Sequence, residues 1–263
     1  MYLSCCVWAL TAHPSEVLSD MRSLGFHRID IRPDFLIEGD ARTLRETYSL
    51  SVSSVAASFG VPDDAALESA DADARRRGVA HIGTVVNQCA ALGAKVVYLV
   101  PGMDDSPATL SRYAESLEQA AENAAAHGVR LCIEHFPGTA LPTASATLDF
   151  INAIDHPNLG LLFDIGHVQM SGEDPAEVIK AAGSRLYYVH LDDNDGHGDL
   201  HWALLDGVLT TESLRDTFRA LQDIGYVGAV SLELSPALDD PYNALERSRQ
   251  IAIDCGSDFA LEP

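Results

Sequence analysis

AENAAAHGVRLCIEH, residues 121–135, carries an alanine-rich helical stretch into a glycine and then into a short apolar strand that stops on a glutamate. Glycine accepts the left-handed backbone that closes a helix, so Gly128 marks the helix end and the strand follows over 130–134. The same succession recurs along the chain: SLG before FHRIDI, ALG before AKVVYLV, AAG before SRLYYVH and DIG before YVGAVSLEL. Every junction is helix to strand. About eight strands result, over residues 2–7, 27–31, 51–57, 96–100, 130–134, 160–164, 186–191 and 229–234. Helical patterns lie between them, including PSEVLSDMRSL, HIGTVVNQCAAL, ATLSRYAESLEQAAENAAAH, SLRDTFRALQDI and NALERSRQIAI.

Strict alternation with near-continuous apolar strands means a parallel sheet covered by helices, an α/β arrangement. Eight such units close into a (β/α)8 TIM barrel. The length of 263 residues, 47% of them hydrophobic, suits a single domain over 1–263. A doubly wound open sheet is the competitor. It would usually carry a glycine-rich phosphate turn after its first strand, and ALTAHPSE holds no GxGxxG. VPDDAALESADADAR, residues 61–75, reads as a polar loop into the third helix, placed at the strand-end face where it could act as a lid.

The formal net charge is −22, from 39 acidic against 17 basic residues, and only Lys95 and Lys180 are lysines. Such a surface repels polyanions, so no nucleic-acid partner is expected. The five cysteines are odd in number and lack CxxC spacing, which fits a reducing cytoplasm and neither a disulfide framework nor a zinc ribbon. MYLSCCVWALTA is apolar, yet it has no positive leading segment and is too short to span a membrane, so a buried first strand and no membrane partner are expected.

Four strands finish on a potential metal ligand: LCIE on Glu134, LLFD on Asp164, YYVH on His190 and SLE on Glu233. Strand C-termini of a parallel barrel converge on one face, where active sites are found, so these side chains can meet. Strand alternation tests this, because a ligand pointing into the barrel needs a predecessor pointing out under the helices. The predecessors are Ile133, Phe163, Val189 and Leu232, all bulky and apolar. Any one acid at a strand end is more simply a solvated residue or a helix cap. Three carboxylates buried together are costly unless a cation compensates them. Three carboxylates and an imidazole form a mostly oxygen site suited to one divalent ion, Mn, Mg, Co or Zn, with positions open for substrate.

Behind the strand-7 ligand, YYVHLDDNDGHGDLHW, residues 187–202, packs three histidines and four aspartates into sixteen positions. IEH, FDIGH, HLDDNDGHGDLH and SLEL, in that order, resemble the xylose-isomerase-like TIM barrels, which include sugar isomerases and epimerases, inosose dehydratases, hydroxypyruvate isomerases and endonuclease IV relatives. The likeness covers the whole chain in βα order and is specific from about residue 130 onward. It implies that Glu134, Asp164, His190 and Glu233 bind one divalent metal, and that Glu134 and Glu233 also move protons. A metal that holds a carbonyl and a neighbouring hydroxyl acidifies the proton between them and stabilises an enediolate. Two carboxylates on opposite sides of that carbon can then exchange its proton. The resemblance further leaves two roles open for His167, Asp199 and His201: ligands of a second metal, or contacts to substrate hydroxyls, the latter favoured for His167.

This chain also departs from its look-alikes. Strands 3 and 4 end in VAASFG and YLVPG without the histidines of the DNA repair branch. The turn after the DxH pair reads LLDGVL, with only Gly207 in place of the usual PGxG, which bears on where His201 sits. Residues 191–204 contain neither Arg nor Lys, so no phosphate anchor is evident and an uncharged small-molecule sugar or polyol is favoured as substrate. Arg32 and Arg112 could still reach in. Trp8 and Phe136 are stacking walls for a sugar face or plain core packing. His135 could stand behind Glu134, Asp193 and Asn194 could orient His190 or form the turn, and His197 is expected exposed. His13, His27, His81, His127 and His156 belong to no set. The leading expectation is a metal-dependent sugar isomerase or epimerase. A dehydratase of an inosose or dehydroshikimate type is the alternative, ahead of a phosphodiesterase or a noncatalytic metal-binding subunit. Homo-oligomerisation stays open, since no interface stripe is legible.

Overall fold

The computed structural model describes residues 1–35 and 41–263. Eight parallel strands, β1 (Tyr2–Cys5), β2 (Arg28–Ile31), β3 (Ser51–Ala56), β4 (Val96–Leu99), β5 (Arg130–Glu134), β6 (Leu159–Asp164), β7 (Leu186–Leu191) and β8 (Ala229–Leu232), pair in the order β1-β8-β7-β6-β5-β4-β3-β2. Between and after them run α1 (Pro14–Ser23), α2 (Ala41–Thr43, continued by a π turn), α3 (Ala72–Ala91), α4 (Pro107–Ala126), α5 (Ala144–Ile154), α6 (Ile165–Ser171), α7 (Pro175–Ala182), α8 (Thr211–Asp223) and α9 (Pro241–Gly256). The result is a nearly closed (β/α)8 TIM barrel. Its seam lies between β1 and β2, which meet in a single bridge, Cys6 with Asp30.

The glycines that punctuate the sequence do what their chemistry allows. Gly25, Gly93, Gly128, Gly183 and Gly225 all take positive φ at the helix-to-strand junctions. The unit around Gly128 shows how the rest is built. Ser106 caps α4 by accepting from the Thr109 N–H, and Pro107 fits its first turn. Tyr113, Leu117, Ala120, Ala121 and Ala124 then form one buried stripe at helical spacing. Leu117, fully buried, would cost about 2–5 kcal/mol if cut to alanine.

Burial sorts the core into two layers. Ile133, Phe163, Val189 and Leu232 join the large cluster between strands and helices, while Tyr98, Cys132, Leu162 and Tyr188 belong to a smaller separate cluster. Strand ends differ slightly from the sequence reading. β1 stops at Cys5 because Val7–Ala9 tightens into a 3-10 turn. β8 ends at Leu232, although the Glu233 N–H still donates to the Leu191 carbonyl at 3.1 Å. The stretch 61–75 is not all loop: Asp71 caps α3, so 72–75 are its first turn. Asp64, Ser69, Glu68 and Leu67 offer their carbonyls to Arg77, Arg75, Arg112 and Ser116, so this segment is a fastened strap rather than a free lid. The five cysteines are free and buried. No helix among the described residues is long and apolar enough to cross a membrane.

Candidate metal centre and substrate site

Parallel pairing sets Asp164 directly beside His190 in the β6–β7 register, and β5 and β8 flank them. Glu134, Asp164, His190 and Glu233 each bring one donor atom within 4.8 Å of the others. His190 Nδ1 is central: it lies 2.6 Å from Glu233 Oε2, 3.4 Å from Glu134 Oε1 and 3.8 Å from Asp164 Oδ2. Tyr98 and Tyr188 hold the imidazole edge-on from two sides, with centroids 5.2 and 5.7 Å away. Asp164 divides its labour. Oδ1 caps α6 by accepting the His167 N–H at 2.8 Å, while Oδ2 is buried without a hydrogen-bond partner. The cap alone contributes about 1 kcal/mol.

The donor set fits a divalent cation on chemical grounds. Asp164 Oδ2 is buried without a hydrogen-bond partner, and three carboxylates converge on the single Nδ1 of His190, a set that a cation would hold together. Electrostatics register the same strain. Burial pushes the Glu134 carboxyl up, and the Glu233 charge adds to this against the pull of His190. Burial also works on Glu233, but the His190 imidazolium outweighs it and draws that carboxyl down to about 2. Burial disfavours charge on His190, yet the Glu233 carboxylate, with Cys6, Tyr98 and Asp30 after it, holds its pKa well above the imidazole range. A metal ion here would compete with a proton for one lone pair.

A second cluster stands beside the first. His167 Nε2 lies 3.2 Å from Asp199 Oδ1, which is 3.0 Å from His201 Nε2. His201 Nδ1 continues to Asp192 Oδ2 at 2.7 Å. His167 Nδ1 meets the His135 carbonyl at 2.9 Å, so His135 acts through its backbone on His167 rather than behind Glu134. Burial opposes charge on His167, but Asp164 and Asp199 raise it to about 10. Burial and Asp164 raise Asp192 to about 7 against the pull of His201. His201 occupies the left-handed region, φ 46°, ahead of the 204–209 turn. Gly207 holds that turn: its N–H donates to Asp193 Oδ2, and a Cβ there would sit 2.0 Å from the Asn194 carbonyl.

Asp192 is a residue of this cluster that the sequence reading missed. The signal was present, since alternation that points His190 inward points Asp192 inward as well, two positions on. Asp193 and Asn194 are turn formers: Asp193 accepts from the N–H groups of Asn194, Gly207 and Leu209, and Asn194 donates to the Gly166 carbonyl. Trp8 carries a polar contact as well as an apolar one. Its indole N–H donates to Glu233 Oε1 at 3.0 Å, and its ring packs on Phe59, over which Arg32 stacks. Phe136 packs edge-on against His167. Arg112 is committed to Glu68 and Thr109, and His197 is exposed.

A family model described as xylose isomerase-like TIM barrel matches residues 18–251. The chain belongs to this family. It is 36% identical over 163 residues to a putative hydroxypyruvate isomerase of Streptomyces coelicolor, covering 58% of this chain and 55% of that one. It is 28% identical over 185 residues to an inosose dehydratase of Lacticaseibacillus casei, 58% of this chain and 62% of the relative. An L-ribulose 3-epimerase of Mesorhizobium japonicum is 27% identical over 86% of this chain and 78% of its own. The match thus spans only about half the length of several curated relatives, 55% and 62% in the first two. Among solved structures, an L-ribulose 3-epimerase superposes with a TM-score of 0.83 at 22% identity, covering 98% of this chain and 95% of the other, which shows the shared fold.

Proposed function

We propose that this family member is a divalent-metal-dependent sugar isomerase or epimerase, acting on a keto sugar or related polyol through an enediolate. The observation that carries the reading is the convergence of Glu134, Asp164, His190 and Glu233 on one space, where the buried Asp164 Oδ2 has no hydrogen-bond partner. Those four would hold one ion, Mn, Mg, Co or Zn, which when bound supplies Lewis-acid polarisation of a carbonyl and the adjacent hydroxyl. Glu233, ionised and fixed by the Trp8 N–H, removes the carbon-bound proton. Glu134, whose buried carboxyl favours protonation, returns one from the facing side. His167, Asp199 and His201 bind substrate hydroxyls, and Trp8 and Phe59 wall the opposite side. The relatives named isomerase and epimerase support this chemistry.

The test is solvent exchange. A metal-loaded sample in deuterium oxide is expected to wash deuterium into the carbon beside the carbonyl of at least one keto sugar in a broad panel, and Glu134→Gln to slow this about 10²–10⁴-fold. No exchange into any of them would end the proposal. The inosose dehydratase relative supports a second reading, in which the same proton abstraction expels a β-hydroxyl as water. An ultraviolet-absorbing enone product separates it from the first. A second cation on His167, Asp199 and His201 is the other outcome to watch for, read from metal stoichiometry.

A further inference from the structure

Asp30, on β2, is a carboxylate buried completely inside the barrel, and none of the chemistry above uses it. Its two oxygens face different neighbours. Oδ1 accepts from the Tyr188 hydroxyl at 2.5 Å and the Ser4 hydroxyl at 3.0 Å, whereas Oδ2 has only the Cys6 thiol at 3.6 Å. Oδ2 also faces His190. It lies 3.7 Å from Nε2, and among the described residues no other carboxylate is paired with that nitrogen within 4.0 Å. His190 Nε2 is itself buried with no hydrogen-bond partner.

An imidazole that gives its Nδ1 lone pair to a cation carries its proton on Nε2. A buried N–H with no acceptor is costly, and so is a carboxylate whose company is hydroxyls and a thiol. Facing each other, the two groups relieve both costs. Closing the β1–β2 seam would not require a charge, because a neutral amide oxygen accepts the same two hydroxyls. We propose that Asp30 is a positioning residue for the metal centre, accepting the Nε2 proton of His190 so that Nδ1 is fixed toward the space shared with Glu134, Asp164 and Glu233. The inference rests on the metal reading above and deepens it, assigning the orientation of one ligand to the opposite side of the barrel.

The experiment measures Zn²⁺ affinity by chelator competition in the wild-type chain, in Asp30→Asn and in Ser4→Ala, together with the melting temperature of each metal-free form. In Asp30→Asn the amide oxygen is claimed by Tyr188 and Ser4, so its NH₂ meets the Nε2 proton donor to donor. Affinity is expected to fall about 10–100-fold. Ser4→Ala, which strips a bond from the same network but leaves Oδ2 alone, keeps wild-type affinity even where its melting temperature drops. Equal losses of affinity in both variants would reduce Asp30 to a structural clasp and overturn the proposal. Should Asp30→Asn not fold, the Zn²⁺-loaded wild type answers by nuclear magnetic resonance. An exchange-protected His190 Nε2 proton is expected, and its absence overturns the proposal. A wild type that bound no Zn²⁺ would remove the metal reading and this inference together, while unchanged affinity in Asp30→Asn beside a binding wild type removes this inference alone.

Discussion

The strands of this barrel divide into two halves at their C-terminal ends. β5, β6 and β7 end on or beside Glu134, Asp164 and His190, and Glu233 follows β8, whereas β1 to β4 end on Cys5, Ile31, Ala56 and Leu99. One half gathers carboxylates and imidazoles; the other offers aromatic and aliphatic surface, with Trp8 and Phe59 at its rim. The difference separates chemistry from shape. Ligand chemistry admits few residue types and strict spacing, while a wall for a sugar can be built from many apolar side chains.

The harshest way to break that division is Asp164→Ala. It should remove metal binding beyond the ~100-fold that a ligand's neighbour costs, and also uncap α6, read by calorimetric titration and circular dichroism. If metal binding survived, the charged half would not be a metal centre. Next in size is the response to pH. The anions around His190 hold its pKa above the ordinary 6.5, so a cation must displace its proton. Affinity should climb about tenfold per pH unit up to that pKa, with proton release visible as buffer-dependent heats. For the metal-free fold the sign is opposite: the stability lent by this proton is complete below the unfolded pKa and is lost as pH rises through the folded one.

Trp8→Phe probes the boundary, because Trp8 belongs to the apolar half and reaches Glu233 across the mouth. Losing its N–H bond to a carboxylate, worth about 1.5 kcal/mol, should lower kcat about tenfold with little change in KM. A pure KM effect would return Trp8 to the role of a wall. Phe59→Ala should do least, raising KM about fivefold, as the contact of a partly exposed ring sits near the lower end of the range for apolar contacts, about 1 kcal/mol. A change in metal affinity there would show that the two halves are not separable.

This asymmetry also explains what the sequence could disclose. Gly25, Gly93, Gly128, Gly183 and Gly225 announced the barrel because left-handed closure of a helix restricts the residue. Glu134, Asp164, His190 and Glu233 were legible because each follows a bulky residue that must face the helices. Asp192 escaped because it stands one alternation beyond the strand-7 ligand, among aspartates that a turn would also explain. The indole bond of Trp8 was not legible at all, since it depends on residues 225 apart being brought together by the β1–β8 pairing. The β1–β4 rim left no signature, as apolar residues there look like any core.

The two oxygens of Asp164 give the molecule an order of events. One anchors the first turn of α6 through the His167 N–H, and the other faces the cation's space. A tug on that carboxylate would therefore be felt at the imidazole three residues later, the one proposed above to meet the sugar. On the proposed reading, a bound cation would set the stage on which hydroxyls are recognised, and the guest would come second.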